Sequence, residues 1–421
     1  MARVTGTDAQ GSRYRDPEYL LGVPRALGPS HGWTQDELYR EAARPGRFNR
    51  AVDYLRIKWV QWLWHYLKTR IGGRYPFADY DATPTDRGIY PLPGDPVRMA
   101  VVGDWGTGTR EAYEVATAMA HAEPHFTIHL GDVYYVGTKK EMYDNMLGGR
   151  VTWPVGTRGS FALNGNHEMY GRGKAYFQHL LPTLGVGGAG QRASFFCLRN
   201  DYWLLLGLDT GYYSVGLPVL ERIFTPSCKL HDKLVKWLRE DVKLQDDRTR
   251  GVILFSHHQY HSQFEAILDT AARQLSQFVH RPVLWLWGHE HRLAIYRKHA
   301  TQRGKLEAYG RCIGHGGLPI EDIDQKPKAD AKHQVGLVLY DRRTRAEIGP
   351  RRTKVGWNGF ALLEFQGRSL TVEHRDARNR LLVRERWEVG AEGTLRGVAI
   401  EKGTDDPDLK LHGANLEDAL R

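Results

Sequence analysis

Five short segments of this chain put a carboxylate, an amide or an imidazole directly after an apolar run. They read Gly103-Asp104-Trp105-Gly106, Gly131-Asp132-Val133-Tyr134-Tyr135, Asn164-Gly165-Asn166-His167-Glu168, Ser256-His257-His258 and Gly288-His289-Glu290-His291. Oxygen and imidazole donors without a thiolate suit zinc, iron, manganese and similar ions. His289 and His291 are two positions apart, so on an extended chain their side chains leave from the same side. The ligand-type residues outnumber the four of a simple zinc site. Two cations about 3.5–4 Å apart, bridged by a carboxylate, fit that number better. Glycines beside the ligands permit tight turns and let a substrate approach the backbone.

The apolar runs that precede these residues are expected strands over 98–102, 126–130, 160–163, 251–255 and 282–287. Helix-like runs over 110–122 and about 230–243 lie among them, which argues for an α/β domain. In an open α/β sheet, ligands gather beyond the carboxyl ends of the strands. If the five strands are neighbours, the five segments meet at one edge. Residues 194–208 read as a hairpin turning at Asn200-Asp201. After 335 the pattern is again β, alternating over 360–365, 369–375 and 381–387. The expected organisation is an arm, a helical extension and a Pro-rich linker over 1–95, the main domain over 96–390, and a polar tail over 391–421. The extension has a helix over about 48–69 whose Trp59, Trp62 and Trp64 are expected to pack on the core or roof the site, the alternative being a membrane-surface or partner-docking helix.

Composition sets the outer limits. The chain has 421 residues, 41% hydrophobic and 26% charged, which is a globular balance. The formal charge of +10 suits either a solvated basic surface or an anionic partner. No Lys/Arg block of six or more occurs, so nucleic acid is not favoured over a phosphorylated small molecule or nucleotide. Cys197, Cys228 and Cys312 form no CxxC pair, which leaves neither a disulfide framework nor a thiolate zinc site. No apolar stretch approaches the roughly 20 residues of a membrane span. The first residues lack an apolar signal core, so a cytoplasmic location is expected.

Taken in order, GDWG, GDVYY, GNHE, SHH and GHEH resemble the five motifs of the calcineurin-like metallophosphoesterase family. The likeness covers about residues 98–295, and Gly314-His315-Gly316-Gly317 is expected as a close-approach turn completing the same domain. The resemblance implies a four-layer α/β/β/α sandwich and a two-metal site. The implied reaction is hydrolysis of a phosphate ester by attack of a metal-bound hydroxide on phosphorus. Many members carry Asp-x-His in the first motif, where this chain has Gly106. The purple acid phosphatase branch also has Gly there and gains a Tyr three residues after the second Asp, here Tyr135. By that resemblance Asp104, Tyr135 and His291 hold the first metal, Asn166, His257 and His289 the second, and Asp132 bridges them. A phenolate ligand favours Fe(III), paired with Fe, Zn or Mn. The other reading of this pair makes Tyr135 a packing aromatic and turns Tyr134 outward. His167 is the expected catalytic residue, touching the phosphate or protonating the leaving oxygen, with Glu168 orienting it. His258 and His261 are the candidates for substrate contact. A phosphomonoesterase is expected. The alternatives are a phosphodiesterase or nuclease, and a non-catalytic metal-bound regulatory protein.

Overall fold

The computed structural model describes residues 73–81, 86–215, 227–318, 326–330, 336–348, 353–413 and 415–421. The expected helices before residue 70, with Trp59, Trp62 and Trp64, lie outside the described residues.

The strands are β1 (Ile89–Pro91), β2 (Val97–Val102), β3 (Phe126–His129), β4 (Gly159–Ala162), β5 (Gly185–Val186), β6 (Phe196–Arg199), β7 (Trp203–Leu208), β8 (Gly251–Ser256), β9 (Val283–Trp287), β10 (Leu293–His299), β11 (Ala308–Ile313), β12 (Leu337–Asp341), β13 (Thr344–Ile348), β14 (Thr353–Gly356), β15 (Gly359–Gln366), β16 (Ser369–Asp376), β17 (Leu381–Val389), β18 (Leu395–Lys402) and β19 (Leu409–Leu411). The α-helices are α1 (Arg110–His121), α2 (Lys139–Met146), α3 (Asn166–Tyr170), α4 (Asp232–Glu240) and α5 (Thr270–Leu275). One sheet runs β18-β17-β16-β15-β2-β3-β4-β5 and the other β1-β6-β7-β8-β9-β11-β10-β12-β19. Within them β2, β3 and β4 are parallel, as are β7, β8 and β9.

Strand alternation builds the layers. Met99 and Val101 of β2 pack with Ile253 and Phe255 of β8 and Leu284 and Leu286 of β9, in the core between the sheets. The intervening Ala100 and Val102 face Ala112, Val115 and Met119 of α1. On the second sheet Val252 and Leu254 meet Leu234 and Leu238 of α4. Both faces of these central strands are buried, which is why they read as continuous apolar runs. The result is a mixed α/β sandwich with helices outside. Thr109 starts α1 by accepting the Ala112 N–H at 3.2 Å. The expected hairpin is β6–β7, and Asn200 Oδ1 accepts the N–H groups of Tyr202 and Trp203 in its turn.

The end of the chain differs from the expected tail. β18 pairs with β17 at one sheet edge, and β19 pairs with β12 at the edge of the other. The Ala419 carbonyl accepts from the buried Arg311 at 3.0 Å. Edge strands bury only some of their residues, so their apolar alternation is weak: along β18 only Leu395 and Ile400 are buried. β10 and β11 also had no counterpart among the expected strands.

Candidate metal centre

The sheets present their strand ends to each other. Asp104 follows β2, Asp132 follows β3, and Asn166 opens α3 just beyond β4. From the second sheet, His257 follows β8, and His289 and His291 follow β9. Asp104, Asp132 and His289 have positive φ, at 59°, 74° and 66°. An L-residue held there costs roughly 1–2 kcal/mol. Such strain persists where the surroundings impose it, and it collects at functional sites. Here it aims three polar side chains into one cleft.

Asp104 and Asp132 are fully buried. Asp104 Oδ2 accepts the His289 N–H at 2.6 Å, and its Oδ1 accepts the Tyr134 hydroxyl at 2.7 Å. Tyr134 Oη also lies 3.2 Å from Asp132 Oδ2 and 3.1 Å from His291 Nε2. The phenol at this point therefore belongs to Tyr134 and not to Tyr135, to which the family spacing had given it. Tyr135 instead donates its N–H to Glu141 at 2.6 Å, and its carbonyl lies 2.7 Å from His167 Nδ1. Asn145 donates to the carbonyls of both Gly106 and Tyr134, tying the first two motif loops together.

The other half of the cleft is built from imidazoles. His257 Nδ1 lies 3.0 Å from the Leu130 carbonyl, which makes Nδ1 the protonated nitrogen. Its Nε2 then faces Asn166 Oδ1 at 3.0 Å and Asp132 Oδ1 at 3.4 Å. His289 Nδ1 is also 3.0 Å from Asn166 Oδ1, while the amide nitrogen of Asn166 donates to Tyr170. Oxygen and nitrogen lone pairs thus converge with too few protons among them, and a cation satisfies that arrangement. Two triads, Asp104–Asp132–His257 and His257–His258–His289, each place their ligand atoms within 4.8 Å of one another and share His257. The donor set fits the divalent metals that the family uses.

The local field agrees with this layout. Burial works against charge on Asp132, yet His257 and His167 hold its carboxyl well below the usual range. His257 would lose its charge to burial, but Asp132 lifts it to about 9. Burial and the charge of His257 push His289 down to about 3. A cation in the cleft would compete with the proton on His257.

The remaining expected residues fall as follows. His167 is one-fifth exposed at the cleft edge, its Nε2 3.7 Å from Asp132 Oδ2 and its ring 4.3 Å from that of Tyr134. Glu168 does not orient it. Its carboxylate accepts the N–H groups of Gly165, Asp132 and Val133 and so fixes the loop of the second motif. His258 is buried among the cluster imidazoles. His261 is elsewhere, enclosed by Tyr260, Trp287, Tyr296 and His299. Four residues past His257 the chain has entered the core beside Trp287 of β9 and Tyr296 of β10. His315 is buried too, with its Nε2 against the Gly359 backbone. The Asp209-Thr210 pair after β7 was missed, although it has the same strand-then-Asp signature as the first two motifs.

Residues 97–293 match the family model for calcineurin-like phosphoesterases. No curated protein matches the chain. Among solved structures, PhoD is 12% identical with a TM-score of 0.47, covering 75% of this chain and 74% of that one. A conserved uncharacterized protein from Streptococcus pneumoniae TIGR4, a predicted phosphoesterase, is 9% identical with a TM-score of 0.27, covering 73% and 99%. Vacuolar Protein Sorting 29 from Cryptosporidium parvum is 8% identical with a TM-score of 0.26, covering 73% and 100%. Among the described residues no helix is long and apolar enough to cross a membrane. The matched span begins at β2 and ends just past His291, so it takes in all five segments that meet in the cleft: residues 97–293 form a calcineurin-like phosphoesterase domain, the domain of a phosphoester hydrolase.

Proposed function

We propose that this chain hydrolyses phosphate monoesters at a two-cation centre. One cation would be held by Asp104, Tyr134 and His291, the other by Asn166, His257 and His289, with Asp132 available to both. The observation that carries this reading is the convergence of Asp104, Asp132 and His257, whose ligand atoms lie within 4.8 Å of one another, beside Asn166 Oδ1 at 3.0 Å from both His257 Nε2 and His289 Nδ1. Tyr134 offers a phenol to the Asp104 side, which favours a ferric ion there, with Fe, Zn or Mn as its neighbour. When bound, the cations supply charge for the phosphoryl oxygens and acidify water in the cleft.

The chain's own residues do the rest. The oxygen of water forms a bond to phosphorus and gives up a proton to solvent, the ester P–O bond breaks, and the leaving oxygen needs a proton. His167 is placed to give it. Its Nδ1 is held by the Tyr135 carbonyl, so Nε2 is the nitrogen free to exchange a proton at the cleft. The rings of Tyr134 and Tyr170 flank His167 and restrict its rotation. Glu168 keeps the Asp132 loop rigid, and Asn145 locks the Tyr134 carbonyl.

The test is paired hydrolysis of a chromogenic phosphate monoester and its diester, with and without chelator. Chelator-sensitive cleavage that prefers the monoester supports the reading. A diester preference moves the substrate to cyclic nucleotides or nucleic acid, which the +10 charge also suits. No cleavage after reconstitution with Fe, Mn and Zn overturns the enzymatic role.

A further inference from the structure

His258 lies 4.7 Å, ring to ring, from both His257 and His289, and by distance alone it would be a third imidazole ligand. Its hydrogen bonds argue for a different role. Thr210, just beyond β7, is buried, and its Oγ1 accepts the backbone N–H of His258 at 3.0 Å. The same oxygen lies 3.2 Å from His258 Nδ1. A hydroxyl that accepts one hydrogen bond still has its own hydrogen to place. Among the described residues, His258 Nδ1 is the acceptor within reach of that hydrogen. A buried hydroxyl hydrogen finds a partner in nearly all native structures. The Nδ1 lone pair is therefore taken, and the ring proton sits on Nε2. Neither nitrogen then has a lone pair left for a cation.

The turn that presents Thr210 is built for rigidity. Asp209, fully buried, accepts the N–H groups of Gly211 at 2.9 Å and Tyr212 at 2.8 Å, and the Ser194 hydroxyl as well. Thr210 is thus held at both ends while its side chain reaches the neighbouring strand end.

We infer that Thr210 is a positioning residue: its hydroxyl fixes His258 in the tautomer protonated on Nε2, making His258 a hydrogen-bond donor to the phosphoryl group and not a cation ligand. What His258 donates to rests on the hydrolase reading. The tautomer and the absence of ligation do not.

Three measurements on the full chain separate these points. Nitrogen NMR of isotope-labelled histidine, with His258 assigned through His258→Gln, reports the tautomer directly. Nδ1 is expected unprotonated in the wild type, with a tautomer mixture in Thr210→Val. Calorimetric titration of chelator-treated protein with Mn(II) or Zn(II) should give wild-type stoichiometry for both His258→Gln and Thr210→Val. Turnover should fall about 10- to 100-fold in Thr210→Val, with KM nearly unchanged, and Thr210→Ser should restore it. A protonated Nδ1 in the wild type, or a lost cation in His258→Gln, overturns the proposal. So does full turnover in Thr210→Val, or no recovery in Thr210→Ser. If the wild type cleaves no ester, the hydrolase reading fails alone, since NMR and calorimetry still decide the tautomer and the ligation.

Discussion

Gly103 at the end of β2 and Gly288 at the end of β9 meet backbone to backbone: a Cβ on Gly103 would lie 2.7 Å from the Gly288 Cα. This contact sets how closely the Asp104 and His289 loops can approach, and their hydrogen bond depends on it. Gly103→Ala must push one strand end away, because both partners are backbone. Overpacking of this kind costs about 1–3 kcal/mol. Denaturant melts should show that loss, and calorimetry should show weaker cation binding. Unchanged cation affinity in Gly103→Ala would mean that the two loops do not depend on this spacing.

Tyr134 and Tyr135 are adjacent, and the structure separates their roles. Tyr134→Phe removes the hydroxyl from Asp104, Asp132 and His291. Losing such a partner typically weakens cation affinity about 10- to 100-fold. Tyr135→Phe should leave affinity near the wild-type value. In iron-loaded protein, any visible phenolate absorption should vanish only with Tyr134→Phe. The opposite pattern would return the phenol to Tyr135.

That pair also marks the limit of what could be read from the sequence. Strand runs followed at once by Asp, Asn or His made the five segments visible, because burial on both faces leaves β2, β8 and β9 almost purely apolar. Which of two neighbouring tyrosines faces the cleft depends on the loop conformation held by Asn145 and Glu141, and no pattern of residue types encodes it. His261 misled for a related reason. Four residues beyond His257, the chain has already left the cleft and entered the core. The terminal strands β18 and β19 were invisible because edge strands alternate weakly.

Asp132 and His167 should fail differently. Asp132 is buried between the two halves of the cleft, and removing its carboxylate leaves His257 without its counter-charge. Asp132→Ala is expected to lose bound cation and hydrolysis together. His167→Ala should keep cation stoichiometry and lose about 10²–10⁴-fold in kcat, the usual worth of a general acid. Metal analysis beside steady-state kinetics checks both. A fully active Asp132→Ala with normal metal content would refute the site.

His261 should contribute nothing to catalysis and reduce stability. Among the described residues neither of its ring nitrogens has a hydrogen-bond partner, and the residue is fully buried. Leaving such groups unsatisfied costs about 1–3 kcal/mol, so His261→Leu should raise stability by an amount of that order with turnover unchanged. The pH dependence is a second readout. Burial, reinforced by His299, holds the folded pKa of His261 well below the ordinary imidazole value of 6.5. Below pH 6.5 the unfolded chain takes a proton that the folded chain refuses, so this residue makes stability fall as pH drops. His261→Leu should flatten the fall of Tm between pH 6.5 and 5. A steeper fall, or lost turnover, would put His261 back in a functional role.

Arg311 of β11 and Glu385 of β17 join the two sheets through a fully buried ion pair of 2.6 Å. Glu385 also accepts from His374 at 2.9 Å and from Trp387 at 3.2 Å, while Arg311 donates to the carbonyls of Tyr296, Gly310 and Ala419. Removing one partner strands the other's charge, so Arg311→Met should cost about 3–5 kcal/mol. The double change Arg311→Met with Glu385→Leu should recover much of that loss, because apolar replacements of a buried pair are often neutral or stabilising. Burial opposes ionisation of Glu385, yet Arg311 and His374 bring its pKa down from 4.5 to about 2. The carboxylate's contribution is therefore complete above pH 4.5 and is lost as pH falls from there through about 2. Denaturant melts from pH 7 to pH 2 should show a wild-type loss in that window that Glu385→Gln lacks. Equal acid sensitivity in both proteins would show that the pair does not hold the sheets together.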